Sequence, residues 1–446
     1  MSLIVDRVIR EQAIGLPHLT VAKINFLLRK SPPLALKSSE RPLDKANKEA
    51  FDALVFLGCS YSYRRDASAI SDSFSTMWSV VCAWGFIFLR DIVLSEIHTE
   101  EEEVLRDRMT CAIAGLFRLN VNLRLVSLHD RVVTSIPEFL AVSLEVQLRL
   151  LDTNHPAFGH WAHFYFTFCD VIKIRETWNA RAYQRVCERL ATQSQAGGRK
   201  YDISGLCIRR FNEEAYKDEK DFDTQGFHAV MMCWMVFGQS SETVMRRLLA
   251  RGAIPLLVKA TRRFSRLALK RKQEKWDDAL WYFQFANSIV DCEDFLLVAV
   301  GKGQTWITEA LDAKMLRALA SIPATLERRY SNIPIGRQTE GILDLLKPFV
   351  LYRSVLNSVL GDWKRMRREG MTSAIEVVDK AMRGVVKHAE EIKDVYRAFE
   401  TMTPSLSVHC SNHNVSSFRL SSVWDAKTRS KSSVQSATMI HWTLCG

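Results

Sequence analysis

The segment that most limits what this chain can fold into is Arg251-Gly252-Ala253-Ile254-Pro255-Leu256-Leu257-Val258. The residues before it, Thr243 to Ala250, are amphipathic at helical spacing and run into a Gly-Ala turn. A second apolar segment follows, with Pro255 in its first turn, where proline's missing N–H is tolerated. Each helix of such a helix–glycine–helix unit carries an apolar face that only neighbouring units can cover, so units stack in sequence. The predicted fold is therefore all-α: an irregular armadillo/HEAT-like helical stack with a disordered C-terminal tail. The 19 glycines and 11 prolines in 446 residues suit long helices better than many tight hairpins. Looser echoes of the unit lie at Ile136-Pro137 and at Leu311 to Leu319. Their offsets are irregular and longer than a strict armadillo or HEAT period of roughly 40–47 residues.

Four regions follow from composition: 1–192, an N-terminal helical region; 193–222, a loop and charged linker; 223–401, a helical-repeat-like region; and 402–446, a Ser-rich tail. Thr99 followed by Glu100, Glu101, Glu102 and Glu103 predicts a helix start with a capping box between Thr99 and Glu102. Residues 68–97 read as one long apolar helical stretch, and 340–369 and 371–401 as long helices. Phe158, Trp161, Phe164, Tyr165, Phe166 and Phe168 read as a core helix; the competing reading is a ligand or base-stacking box.

The net charge of +11 and pI near 9.2 favour acidic partners: nucleic acid, acidic protein tails or anionic membrane surfaces. The charge concentrates in 241–272, where ten basic residues face one acid, Glu242. Arg246, Arg247 and Arg251 precede the glycine turn. Lys259, Arg262, Arg263, Arg266, Lys270, Arg271 and Lys272 follow it. Arg262, Arg266 and Lys270 fall four apart and form a stripe suited to phosphates, and Lys270-Arg271-Lys272 suits nuclear import. A solvated helix face explains the same pattern. Lys364, Arg365, Arg367 and Arg368 form a weaker cluster.

The ten cysteines are scattered among apolar neighbours and read as buried thiols of a reducing compartment. No signal peptide is visible at the N-terminus, and the longest apolar run, Met77 to Leu89, is short of the ~18–20 residues a membrane helix needs. Cytoplasmic or nuclear residence is expected, without secretion or membrane insertion. No phosphate-binding glycine loop, His-Glu-x-x-His or Gly-x-Ser-x-Gly is present, and no enzyme is predicted. His155, His160 and His163 lie close together near Asp170; partly buried, hydrogen-bonded histidines are the expected role, with a metal or catalytic site as the competing one.

In the tail, Cys410 and His413 form a C-x2-H pair, and His441 and Cys445 an H-x3-C pair. These four residues could ligate one tetrahedral zinc. A helical body followed by Cys410-Ser411-Asn412-His413 and a closing His441-Trp442-Thr443-Leu444-Cys445 resembles fungal, mostly basidiomycete, helical-repeat proteins with a C-terminal MYND-type zinc finger. Val415 stands where a second opening cysteine is expected, and the internal Cys-x2-Cys pairs are absent. The resemblance thus implies a degenerate or truncated finger holding one zinc ion at most, beside a body that binds protein partners. The expected function is a non-enzymatic protein-interaction scaffold. The alternatives are a basic adaptor that binds nucleic acid through 241–272, or a zinc-binding MYND-like protein.

Overall fold

Helices that are apolar around most of their circumference must be covered on every side, whereas amphipathic helices need cover on one. That difference arranges this chain. A computed structural model describes residues 28, 32–33, 36, 43–58, 71–125, 136–174, 178–192, 201–219, 221–273, 279–324, 326 and 335–402. In the first half, the helices are α1 (Lys45–Phe56), α2 (Ser71–Phe88), α3 (Glu100–Asn122), α4 (Pro137–Thr153), α5 (Phe158–Ile174), α6 (Trp178–Thr192), α7 (Ile203–Ala215) and α8 (Thr224–Ser240). They continue as α9 (Glu242–Ala250), α10 (Ala253–Gln273), α11 (Ala279–Val300), α12 (Gln304–Asp312), α13 (Met315–Ala320), α14 (Ile335–Leu346), α15 (Arg353–Arg368) and α16 (Glu376–Met402). No strand occurs among the described residues. The all-α stack read from the sequence is the observed class.

Contacts divide the chain into Met1–Glu390 and Glu391–Gly446. Within the first unit the helices form two rows. One row runs α1, α3, α5, α8, α11, α14, each packed on the next. The second runs α2, α4, then α6 and α7, then α9, α10, α12 and α13, and α15. The rows touch most closely where α10 lies along α11. In the first row, α8 is covered on most sides: Phe227, Ala229, Met232, Cys233, Trp234 and Val236 are all buried. The second row holds amphipathic helices such as α9, α10 and α15, whose charged faces stay in solvent.

Local signals account for most boundaries. Thr99 accepts from the Glu102 N–H at 3.2 Å while Glu102 accepts from the Thr99 N–H at 3.2 Å, the capping box expected. Asn154 closes α4 in the left-handed region at φ 57°. Gly252 takes φ +78° between α9 and α10, a conformation other residues rarely adopt, so the helix–glycine–helix unit stands as read. Five of the six aromatic residues of α5 are core: Phe158 is buried, Trp161, Phe164, Tyr165 and Phe168 are fully so, and Phe164 stacks on Phe117 of α3 with centroids 4.0 Å apart, while Phe166 is only half-buried. The seven described cysteines are likewise buried thiols.

Several expectations are corrected. Residues 340–369 are not one helix: Pro348 falls in a 3₁₀ turn, Lys347–Leu351, and Tyr352 is extended, so α14 and α15 are separate. The stretch 193–222 contains α7, capped by Asp202 on the Gly205 N–H at 3.1 Å and packed on α4, α8 and α9. The apolar stretch around Met77 to Leu89 is longer than it reads, because a π turn, Leu89–Val93, extends it. Phe74–Val93 reaches 20 residues, enough by length and composition to cross a membrane; Trp78, Val81, Cys82, Phe88 and Leu89 on it are buried in the protein. The tail read as disordered lies outside the described residues.

Two features of the core make measurable demands. Gly58, just after α1, and Gly115 of α3 bring backbones together: a Cβ on Gly115 would sit 2.2 Å from the Gly58 carbonyl oxygen. Gly115→Ala should lower unfolding stability by about 2 kcal/mol through overpacking, whereas Gly384→Ala on α16, with nothing within 4 Å, should raise it by up to about 1 kcal/mol. Chemical denaturation of the two variants checks the contrast. Glu293 of α11 is buried; its Oε1 accepts from the Thr339 hydroxyl of α14 at 2.5 Å, and its Oε2 has no hydrogen-bond partner among the described residues. Burial pushes its carboxyl up to about 8, from an ordinary 4.5. The folded state then holds a proton that the unfolded chain releases. Stability is full below about pH 4.5 and falls as pH rises to about 8. Glu293→Gln should remove that slope, read from urea midpoints measured across the same range.

Candidate functional site

The basic segment 241–272 is divided by the fold between structural clamps and exposed groups. Arg263 of α10 donates to the carbonyl oxygens of Ala215 and Lys217, the unsatisfied end of α7. The Tyr216 ring between them lies 5.7 Å from the Arg263 guanidinium and 4.9 Å from the Lys259 ammonium. Arg247 donates to the Ala191 carbonyl at the end of α6, at 3.2 Å. Arg251 pairs with Asp202 at 2.6 Å, Arg246 with Glu242 at 3.1 Å and Lys270 with Glu219 at 3.0 Å. Arg262 and Arg266 are exposed, with no carboxylate partner among the described residues. The side chains of Arg271 and Lys272 lie outside the described residues. In α15, Arg365 is 3.7 Å from buried Asp362, while Lys364, Arg367 and Arg368 are exposed at the helix C-terminus, where positive charge offsets the helix dipole.

An open cleft of roughly 740 Å³ lies where α6 meets the α8–α9 corner. Arg181, Gln184, Arg185 and Glu188 line one wall, and Gln239, Ser240 and Glu242 the other. Its two carboxylates are already engaged. Glu188 accepts from the hydroxyls of Ser241 and Thr243, which tie the α9 N-terminus to α6. Glu242 accepts from Arg246 at 3.1 Å and from Lys302 at 3.2 Å, and those donors hold its carboxyl below its usual value. The cleft also holds Arg181 and Gln184, exposed on α6, with Arg185, whose Nε donates to the Arg181 carbonyl at 3.4 Å, and Gln239, whose amide donates to the Met235 sulfur at 3.5 Å. Sequence reading missed it, because its walls come from residues more than fifty positions apart and no local pattern joins them.

The histidines expected near Asp170 separate. His155 sits in the α4–α5 turn, with Nε2 3.2 Å from Asp107 and Nδ1 accepting from the Ala157 N–H at 3.1 Å. His163 lies on the outer side of α5, where partial desolvation by its surroundings and then the charge of His228 on α8 lower its pKa. His228 pairs through Nδ1 with Asp291 of α11 at 2.7 Å. Burial alone would lower the His228 pKa, but the Asp291 hydrogen bond and charge raise it. The side chain of Asp170 lies outside the described residues. So do Cys410, His413, His441 and Cys445, the expected zinc ligands. Among the described residues no group of three or more His, Cys, Asp or Glu is arranged to hold a metal ion.

No protein family, no curated protein and no solved structure matches this chain.

The clamp role of Arg263 separates it from its neighbour. Arg263→Ala should lower stability by about 2 kcal/mol, because two buried-side charge-assisted hydrogen bonds are lost and the α7 carbonyls are left unpaired. Arg262→Ala, one position away, should change it by less than about 0.5 kcal/mol. Thermal and urea unfolding of both variants distinguishes the two.

Proposed function

We propose that this protein is a non-enzymatic protein-interaction scaffold, and that the α6/α8–α9 cleft holds an acidic segment of a partner. The observation that carries this reading is the cleft's chemistry. Its own carboxylates are bound internally, while Arg181 and Gln184 present an exposed guanidinium and an exposed amide. Guanidinium forks suit carboxylates, and amide side chains suit extended peptide backbone. The surrounding two-row stack is armadillo/HEAT-like in this reading, a build that gives a rigid, extended surface for peptides or helices.

The geometry favours this over the basic adaptor for nucleic acid. Of the basic residues in 241–272, Arg246, Arg247, Arg251, Arg263 and Lys270 already hold carboxylates or backbone carbonyls. A phosphate backbone would have to compete with those bonds, leaving Lys259, Arg262 and Arg266 among the described residues to neutralise it.

The test uses the full chain with two fluorescent probes, an Asp/Glu-rich peptide and a single-stranded oligonucleotide. The peptide should bind, and Arg181→Glu should weaken it roughly tenfold, about 1.4 kcal/mol, while Arg262→Glu leaves it unchanged. Oligonucleotide binding with a steep salt dependence, lost in Arg262→Glu/Arg266→Glu and untouched by Arg181→Glu, would replace the scaffold reading with the adaptor.

A further inference from the structure

The C-terminal half of α15 holds Lys364, Arg365, Arg367 and Arg368 against one acid, Asp362. Asp362 is buried, with Lys314 of the α12–α13 turn 3.5 Å away and Arg365 3.7 Å away. Glu369, the next residue after the helix, pairs with Arg317 of α13 at 2.8 Å. Both carboxylates at this end of the helix are thus matched by a cation from the neighbouring element. Lys364, Arg367 and Arg368 are exposed, and their side chains make no hydrogen bond or ion pair among the described residues. Trp363, half-buried, lies one turn before Arg367 on the same side of the helix.

The helix dipole accounts for only part of this charge. Its negative end is worth about half a unit charge, and three open cations exceed that. Lys364 stands three and four residues from Arg367 and Arg368, the spacings at which like charges repel across a helix surface. An anion seated among them relieves that repulsion. We infer that this face of α15 binds the backbone of single-stranded nucleic acid, with phosphates on Lys364, Arg367 and Arg368 and a base against Trp363. Guanidinium forks match phosphate oxygens, and an indole beside them gives a nucleobase a flat partner that an acidic peptide would leave unused. The surface differs from the segment 241–272, where Arg247 and Arg263 fasten helix ends and other cations hold carboxylates. It is also separate from the α6/α8–α9 cleft and its acidic segment, so either reading can fail without the other.

Fluorescence anisotropy of the full chain with a labelled oligothymidylate of about 12 nucleotides, from about 50 to 200 mM salt, tests the inference. Three phosphates neutralised on a single strand set the slope of log affinity against log salt near about −2. Arg367→Ala/Arg368→Ala should weaken binding at least tenfold and reduce that slope by about 1.4, without lowering the urea midpoint. Trp363→Ala should weaken binding about tenfold with the slope unchanged, and Trp363→Phe should recover most of the loss, both with unchanged helical circular dichroism. Arg181→Glu should leave oligothymidylate binding as it was, and Arg262→Glu/Arg266→Glu should change it by less than about threefold, an effect of distant charge alone. Absence of binding at the lowest salt would overturn the inference. So would binding indifferent to Arg367→Ala/Arg368→Ala, or a slope change without any effect of Trp363→Ala. An Asp/Glu-rich peptide of equal charge bound as tightly at this face would assign it to an acidic protein instead.

Discussion

Everything in the first unit depends on the burial of helices that are apolar around most of their circumference. α5, α8 and α11 bring Trp161, Phe164, Trp234 and Phe295 into a continuous aromatic and aliphatic interior. Trp234 lies 5.2 Å from Phe295, edge to face, and 4.9 Å from Phe211. Such helices cannot sit at a surface, because each would leave a broad apolar face in water at a cost of roughly 25 cal/mol per Å². They line up in a row, each shielding the next, and the amphipathic helices close over them. In the second row, α9, α10 and α15 are amphipathic because one side meets apolar neighbours and the other meets solvent.

Burial also decides what the polar groups do. Arg210 of α7 is nearly enclosed, and it bonds Glu213, Glu214 and Asn154, so that α7 is stitched to the α4–α5 turn. Glu214 is buried too and takes Lys217 at 2.6 Å. Taking such charges from water is costly unless every one finds a partner. The same demand consumes much of the basic segment, since the carbonyls ending α6 and α7 need donors and Arg247 and Arg263 supply them. A high count of arginines in a sequence is thus a poor measure of free positive surface. In this chain a good part of that charge fastens helix ends.

The cleft shows the same demand at a surface. There Glu188 and Glu242 are engaged in holding α6, α9 and Lys302 together.

The sequence by itself determined the class of fold and many helix ends. Gly252 with Pro255, Thr99 with Glu102, and Asn154 act within a few residues, so their effect can be read without knowing the rest of the molecule. The aromatic spacing in α5 likewise marked a core helix. Pro348 carried the break between α14 and α15, although apolar periodicity on either side masked it. Only the tertiary structure decided which charges are engaged, and that Arg181 and Gln239 share a cleft. Only it joined His228 to Asp291, sixty-three positions apart. Such pairings arise from the packing of whole helices, and side-chain spacing along one helix holds no record of what the next row will place opposite it.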